Sequence, residues 1–153
     1  MLEKNQNAPE FSVINARGES VSLSKILDTT VVLYFYPKDD TSGCTIQANE
    51  FTALKDSFAD SGAVVYGISK DDTESHCKFI DKFNLTVELL SDLDGAMCEA
   101  YSTWGEKEKN GVKKMGLIRS TFVIDKSGVL RYVEYGVSAK DHAGKILEVV
   151  KGL

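Results

Sequence analysis

Cys44 is the side chain of this sequence best set for nucleophilic chemistry. It closes the turn Pro37-Lys38-Asp39-Asp40-Thr41-Ser42-Gly43-Cys44, which follows an apolar run and delivers a thiol to the start of a helical pattern. The thiolate is the reactive form of cysteine, and a free cysteine has a pKa of about 8.5. A helix N-terminus offers unpaired N–H groups and the positive end of the macrodipole, and there the value can fall to roughly 3.5–7.5. Thr41 and Ser42 are capping residue types, and Thr41 is placed to offer its hydroxyl to Cys44. Gly43 lets the backbone approach a ligand closely. The competing reading is a strand-turn-helix with an inert buried cysteine, since free cysteine is among the most buried residue types. Composition alone does not decide between them.

The elements that must position this thiol are legible from periodicity. Val31-Val32-Leu33-Tyr34-Phe35-Tyr36, ended by Pro37, reads as a buried central strand. Ile46, Phe51, Leu54 and Phe58 then recur at helical spacing, which predicts a helix from Cys44 to about Asp60. Before this unit, Phe11–Asn15 and Ser20–Leu23 flank Ala16-Arg17-Gly18-Glu19 as an N-terminal hairpin. After it come a strand at Ala63–Ser69, a helix at Thr73–Phe83, a short strand at Glu88–Leu90 and a helix at Asp94–Tyr101. Strands at Ser120–Asp125 and Val129–Tyr135 and a helix at Ala139–Lys151 complete the chain. The central βαβ unit predicts parallel strands with a right-handed crossover, and the last hairpin adds antiparallel ones. The expected class is α/β, a mixed central sheet flanked by helices, with residues 1–153 as one domain. Cys44 then lies at the carboxyl end of a sheet strand, where open α/β sheets bind ligands.

The segment Tyr34-Phe35-Tyr36-Pro37-Lys38-Asp39-Asp40-Thr41-Ser42-Gly43-Cys44-Thr45 resembles the Pro-x-x-x-Thr-x-x-Cys signature of the peroxiredoxins, most closely their bacterioferritin-comigratory (PrxQ) branch. Trp104-Gly105-Glu106-Lys107 is similar to a second segment of that branch, and Arg119-Ser120-Thr121-Phe122-Val123-Ile124-Asp125 to the strand bearing its active-site arginine. The resemblance covers essentially the whole chain. It implies a thioredoxin-like fold and reduction of hydrogen peroxide or organic hydroperoxides, with no cofactor or metal. By the same resemblance Cys44 is the peroxidatic cysteine, Thr41 and Arg119 are its polar partners, and Pro37 shields the pocket.

In the implied reaction a thiolate attacks one peroxide oxygen and the other departs as hydroxide or alkoxide. Arg119 can favour the thiolate and stabilise the departing charge through its fixed fork of donors. The N–H groups of Gly43 and Cys44 can bind the peroxide, and Thr41 can fix the line of attack. Trp104 and Tyr36 are expected as pocket walls or core. Cys44 then becomes a sulfenic acid that a second thiol must resolve. Many members of the branch carry that thiol five residues after the first, where this chain has Asn49. Cys77, in the helix Thr73–Phe83, is the candidate resolver, since some relatives place theirs in this helix about one turn later. It shares a face with Ile80, and reaching Cys44 would require local unwinding, because a disulfide needs Cα atoms within about 7 Å. The alternative is an external thiol. The resemblance implies thioredoxin as reductant and a monomer as the functional unit. Cys98, between Met97 and Tyr101, reads as core, and His142, near a helix start, as surface.

Composition closes other options. A net charge of −5 leaves no electrostatic footprint for nucleic acid or an anionic membrane. Lys107, Lys109, Lys113 and Lys114, interrupted by acids and a glycine, read as a solvated loop. No apolar run reaches membrane-spanning length and the N-terminus shows no secretory pattern, so a reducing cytoplasm is expected. Three cysteines form no disulfide framework. A dithiol oxidoreductase would need Cys-x-x-Cys, and the residue three after Cys44 is Gln47. A non-enzymatic peroxide sensor using the same cysteine remains compatible with these residues.

Overall fold

The computed structural model describes residues 1–153, with Lys109 described by its backbone only. In chain order the elements are β1 (Ser12–Asn15), β2 (Ser20–Ser22), α1 (Leu23–Ile26), β3 (Thr30–Phe35), α2 (Ser42–Ala53), α3 (Lys55–Asp60), β4 (Ala63–Ser69) and α4 (Thr73–Phe83). They continue with β5 (Glu88–Ser91), α5 (Ala96–Ala100), β6 (Trp104–Lys109), β7 (Val112–Leu117), β8 (Ser120–Ile124), β9 (Leu130–Tyr135) and α6 (His142–Lys151). Seven strands form one sheet in the order β2-β1-β5-β4-β3-β8-β9. β3, β4 and β5 run parallel, while β8, β9, β1 and β2 join antiparallel, so the sheet is mixed.

β3 is the middle of this arrangement because both of its faces are apolar. Val32, Tyr34 and Tyr36 point to one side, against Phe51 of α2, Phe58 of α3, Phe79 of α4 and Ile146 of α6. Val31, Leu33 and Phe35 point to the other, against Phe11, Met97 and Tyr101. The two-residue period of a strand thus divides one apolar run between two cores. Tyr34 lies flat on Phe51, with ring centroids 4.5 Å apart. Its ring occupies the space where a Cβ on the paired Gly67 would stand, 2.5 Å from Tyr34 Cζ.

Several expectations need correction. The helix predicted from Cys44 to Asp60 divides at Leu54, whose φ of −99° and ψ of 6° leave the helical range. The segment containing Lys107, Lys113 and Lys114 is not a loop. It is the antiparallel hairpin β6–β7, turned through Asn110 (φ 54°) and Gly111 (φ 79°). That pair of left-handed residues is the chemistry of a tight hairpin turn. His142 is not on the surface. It begins α6 with 4% of its area exposed, and its Nε2 sits 2.7 Å from Thr121 Oγ1 of β8. Smaller differences are that Leu23 opens α1 rather than ending β2, and that α5 and α6 begin later than their sequence patterns.

Burial lowers the His142 pKa from 6.5 to about 4, so the folded protein holds this ring neutral. Below about pH 6.5 the unfolded chain takes up a proton that the native state refuses until about pH 4, so stability falls across that window. We expect His142 to contribute a loss of up to about 3 kcal/mol between about pH 7 and about pH 4. Urea unfolding of the protein and of His142→Leu at both pH values checks this. A pH slope that His142→Leu leaves unchanged would refute it.

Candidate active site

The site is assembled where the sheet register ends. Phe35, the last residue of β3, pairs with Ser120, the first of β8, so Arg119 comes beside the turn that leaves β3. The Arg119 carbonyl is fixed by the N–H groups of Gly136 and Val137 at 2.9 and 3.0 Å. Its guanidinium Nη2 reaches the Cys44 Sγ at 3.4 Å, and Nη1 donates to Gln47 Oε1 at 2.8 Å. A glycine at 43 leaves room for this approach, since a Cβ there would lie 3.0 Å from Arg119 Nη2 and crowd the guanidinium. Cys44 is 1% exposed and Gln47 is fully buried.

α2 starts under the sulfur. Thr41 is its N-cap residue, and the first turn closes with Thr45 N–H on Thr41 O at 2.9 Å. The N–H groups of Ser42, Gly43 and Cys44 precede that ladder, as in every helix start. The Thr41 hydroxyl donates to Lys38 O at 2.8 Å and makes no bond to Cys44, unlike the sequence expectation. Pro37 and Lys38 border an open groove of about 820 Å3 together with Lys70, Trp104, Met115 and Leu117. Lys70 Nζ sits 4.1 Å from the centre of the Trp104 ring. Tyr36 lies in the core and donates its hydroxyl to Asp39 Oδ1 at 2.6 Å.

The other two cysteines are placed differently from Cys44 and from one another. Cys77 is exposed, and its Sγ contacts Ala16 O at 3.3 Å, in the turn between β1 and β2. Ile80 is half-buried and packs against the core, whereas Cys77, one turn earlier, is exposed. β1 lies three strand positions from β3, roughly 14 Å at about 4.8 Å per step. Asn49 is exposed on α2. Cys98 is fully buried, and burial beside Asp92 pushes its thiol up to about 12.

Sequence reasoning missed three buried polar side chains, on β3, on α2 and in the turn between them. In the sequence Gln47 is only the residue that breaks a Cys-x-x-Cys motif, yet it is the seat of Arg119. Its Nε2 and the Tyr34 hydroxyl have no hydrogen-bond partner among the described residues, and burial raises the Tyr34 pKa so that this phenol stays protonated. Asp39 is 7% exposed and gathers donors from three residues. A polar residue on the inward stripe of a helix, as Gln47 is, was the available signal.

Residues 5–133 match the AhpC/TSA family. The chain is 46% identical over 147 residues to a putative peroxiredoxin bcp of Helicobacter pylori, covering 96% of this chain and 97% of that one. It is 41% identical to peroxiredoxin Bcp of Bacillus subtilis, covering 99% and 97%. Among solved structures it is similar to Xylella fastidiosa PrxQ, with a TM-score of 0.93 at 29% identity and coverage of 99% and 97%. The Xanthomonas campestris bacterioferritin comigratory protein, studied for its alkyl peroxide reduction activity, superposes with a TM-score of 0.88 at 32% identity, covering 93% and 90%.

Placement of the thiols predicts their order of labelling. A neutral-pH alkylating reagent should modify Cys77 of the native, reduced protein and leave Cys98 intact until the chain is unfolded. Peptide mass spectrometry over a time course reads this, and early modification of Cys98 would contradict the placement.

Proposed function

Because the chain belongs to the AhpC/TSA family, in its Bcp peroxiredoxin branch, and is thus a thiol-dependent peroxidase, we propose that Cys44 is the peroxidatic cysteine and that Arg119, Thr41, Gly43 and Pro37 form its peroxide pocket. The observation that carries this reading is the 3.4 Å approach of Arg119 Nη2 to the Cys44 sulfur over a glycine backbone. Arginine is always charged, so the sulfur faces a permanent cation with directed donors.

The Cys44 thiolate attacks the nearer peroxide oxygen. A sulfur–oxygen bond forms as the oxygen–oxygen bond breaks, and the departing hydroxide or alkoxide takes a proton to leave as water or alcohol. Cys44 is left as a sulfenic acid. The N–H groups of Gly43 and Cys44, with the Arg119 fork, are donors that can stabilise the charge that collects on the two oxygens. Thr41 Oγ1 donates to Lys38 O and keeps lone pairs with which to accept from the O–H of a hydroperoxide. Pro37 presents no N–H and lines the groove shared with Lys38 and Trp104. Hydrogen peroxide and organic hydroperoxides both suit a pocket that recognises only the O–O–H group.

For the second half of the cycle, the exposed position of Cys77 beside Ala16 favours an external thiol. That thiol attacks the sulfenic sulfur, releases water and leaves a mixed disulfide, which a second thiol cleaves to restore Cys44. A yeast mitochondrial 1-Cys peroxiredoxin resolved through glutathione and thioredoxin systems, 26% identical over 98% of this chain with a TM-score of 0.83, supports a reductant of that kind. The reading is one catalytic domain over residues 1–153, acting as a monomer in antioxidant defence in a reducing cytoplasm.

Cys44→Ser is expected to abolish peroxide turnover. Arg119→Met should lower kcat/KM on the order of 100-fold while the fold persists. One equivalent of hydrogen peroxide with dimedone should give an adduct on Cys44, with Cys77 and Cys98 unmodified. A fully active Cys44→Ser variant would refute the proposal.

A further inference from the structure

A buried polar chain links α4 to the loop that leads into Cys44. Asp39, in that loop, takes the Tyr36 hydroxyl on Oδ1 at 2.6 Å. Its Oδ2 takes Ser75 Oγ at 2.8 Å and lies 2.7 Å from His76 Nδ1. Both Ser75 and His76 belong to α4. His76 is fully buried, and its other ring nitrogen, Nε2, faces Leu90 O of β5 at 3.1 Å. A carbonyl oxygen only accepts, so Nε2 carries a proton. Nδ1 in turn faces a carboxylate, so a second proton must lie on the Nδ1–Oδ2 line, whichever partner formally holds it. The result is a short hydrogen bond in the interior, with the far side of the ring closed by Leu90 O. Asp39 N–H donates onward to Asp71 Oδ2 at 2.8 Å, and Lys82 of α4 reaches Asp40 at 2.8 Å on the outside.

We propose that His76, acting through Asp39, is a positioning residue that pins α4 to the Cys44 loop and thereby withholds Cys77 from the oxidised Cys44. Cys77 is the next residue along α4, about 100° round the helix and exposed. For it to resolve Cys44, its sulfur would attack the sulfenic sulfur, forming a disulfide and expelling the oxygen as water. α4 cannot bring Cys77 inward while its neighbour stays bonded to Asp39. A buried bond of this kind resists breaking, because each partner would lose a hydrogen bond away from water. The same brace holds the loop that ends at Thr41, the N-cap of the helix that carries Cys44. This inference rests on Cys44 being the oxidised residue and on an external thiol resolving it.

The amide of an asparagine stands near the Nδ1 of a histidine, and that of a glutamine near the Nε2. His76→Asn therefore keeps the bond to Asp39 and loses Leu90, whereas His76→Gln does the reverse. Each protein is treated with one equivalent of hydrogen peroxide without reductant, then quenched and mapped by mass spectrometry. The fraction with a Cys44–Cys77 disulfide should be negligible in the unsubstituted protein and in His76→Asn, and larger by about tenfold or more in His76→Gln. A role in packing alone would move both variants alike, and that result overturns the proposal. So does rapid disulfide formation in the unsubstituted protein. An unmodified Cys44 would instead overturn the assignment of the reactive cysteine, and this inference with it. Amide hydrogen exchange on the unsubstituted protein needs no variant to fold. α4 should stay equally protected before and after oxidation of Cys44, and loss of protection on oxidation refutes the brace.

Discussion

The site depends on how closely a guanidinium can be brought to a sulfur inside a fold. Arg119 sits 3.4 Å from Cys44 because three separate constraints agree. The β3–β8 register ends with Phe35 opposite Ser120, which puts residue 119 at the mouth of the turn. A slip of one residue would turn that side chain to the opposite face of the sheet. Gly43 leaves out the one carbon that would stand 3.0 Å from Nη2. Gln47, fully buried one helical turn after Cys44, accepts from Nη1 and fixes the fork's orientation. Sheet, turn and helix each supply one coordinate of the same contact.

The parts legible in sequence are those whose signal is local. Val31–Tyr36 is apolar without interruption, and the structure places it between two cores, so its run and its burial state the same fact. The α4 span Thr73–Phe83 was equally plain, with Asp72 capping Ser75 N–H and left-handed Asn84 closing it. β6 and β7 were illegible by periodicity because Glu106, Lys107, Glu108, Lys113 and Lys114 put charge on both faces of a ribbon outside the main sheet. Only Asn110-Gly111 announced the turn.

What stayed hidden are polar residues whose meaning lies in distant partners. Gln47 meets Arg119 across 72 positions, and Asp39 meets His76 across 37. Nothing in the neighbouring letters distinguishes Asp39, buried and bonded, from Asp40, exposed beside it. His142 shows the same thing in reverse. It stands among Lys140, Asp141 and Lys145, a setting that reads as solvent, yet Phe51 and Thr121 enclose it.

A protein that works on oxidants is exposed to slow damage at its own sulfur atoms, and the fold decides where that damage falls. Cys98 and Met97 share the core behind β3, one fully buried and the other 2% exposed. Held there as a thiol, Cys98 lacks the anionic form that peroxides consume. Met1 and Met115 are 78% and 56% exposed, and they lie outside both cores. Sulfoxidation there adds a polar oxygen to side chains that already meet water, whereas the same change at Met97 would force a polar group into the packed interior. Ageing of this molecule is therefore directed to its rim, where it leaves the interior intact.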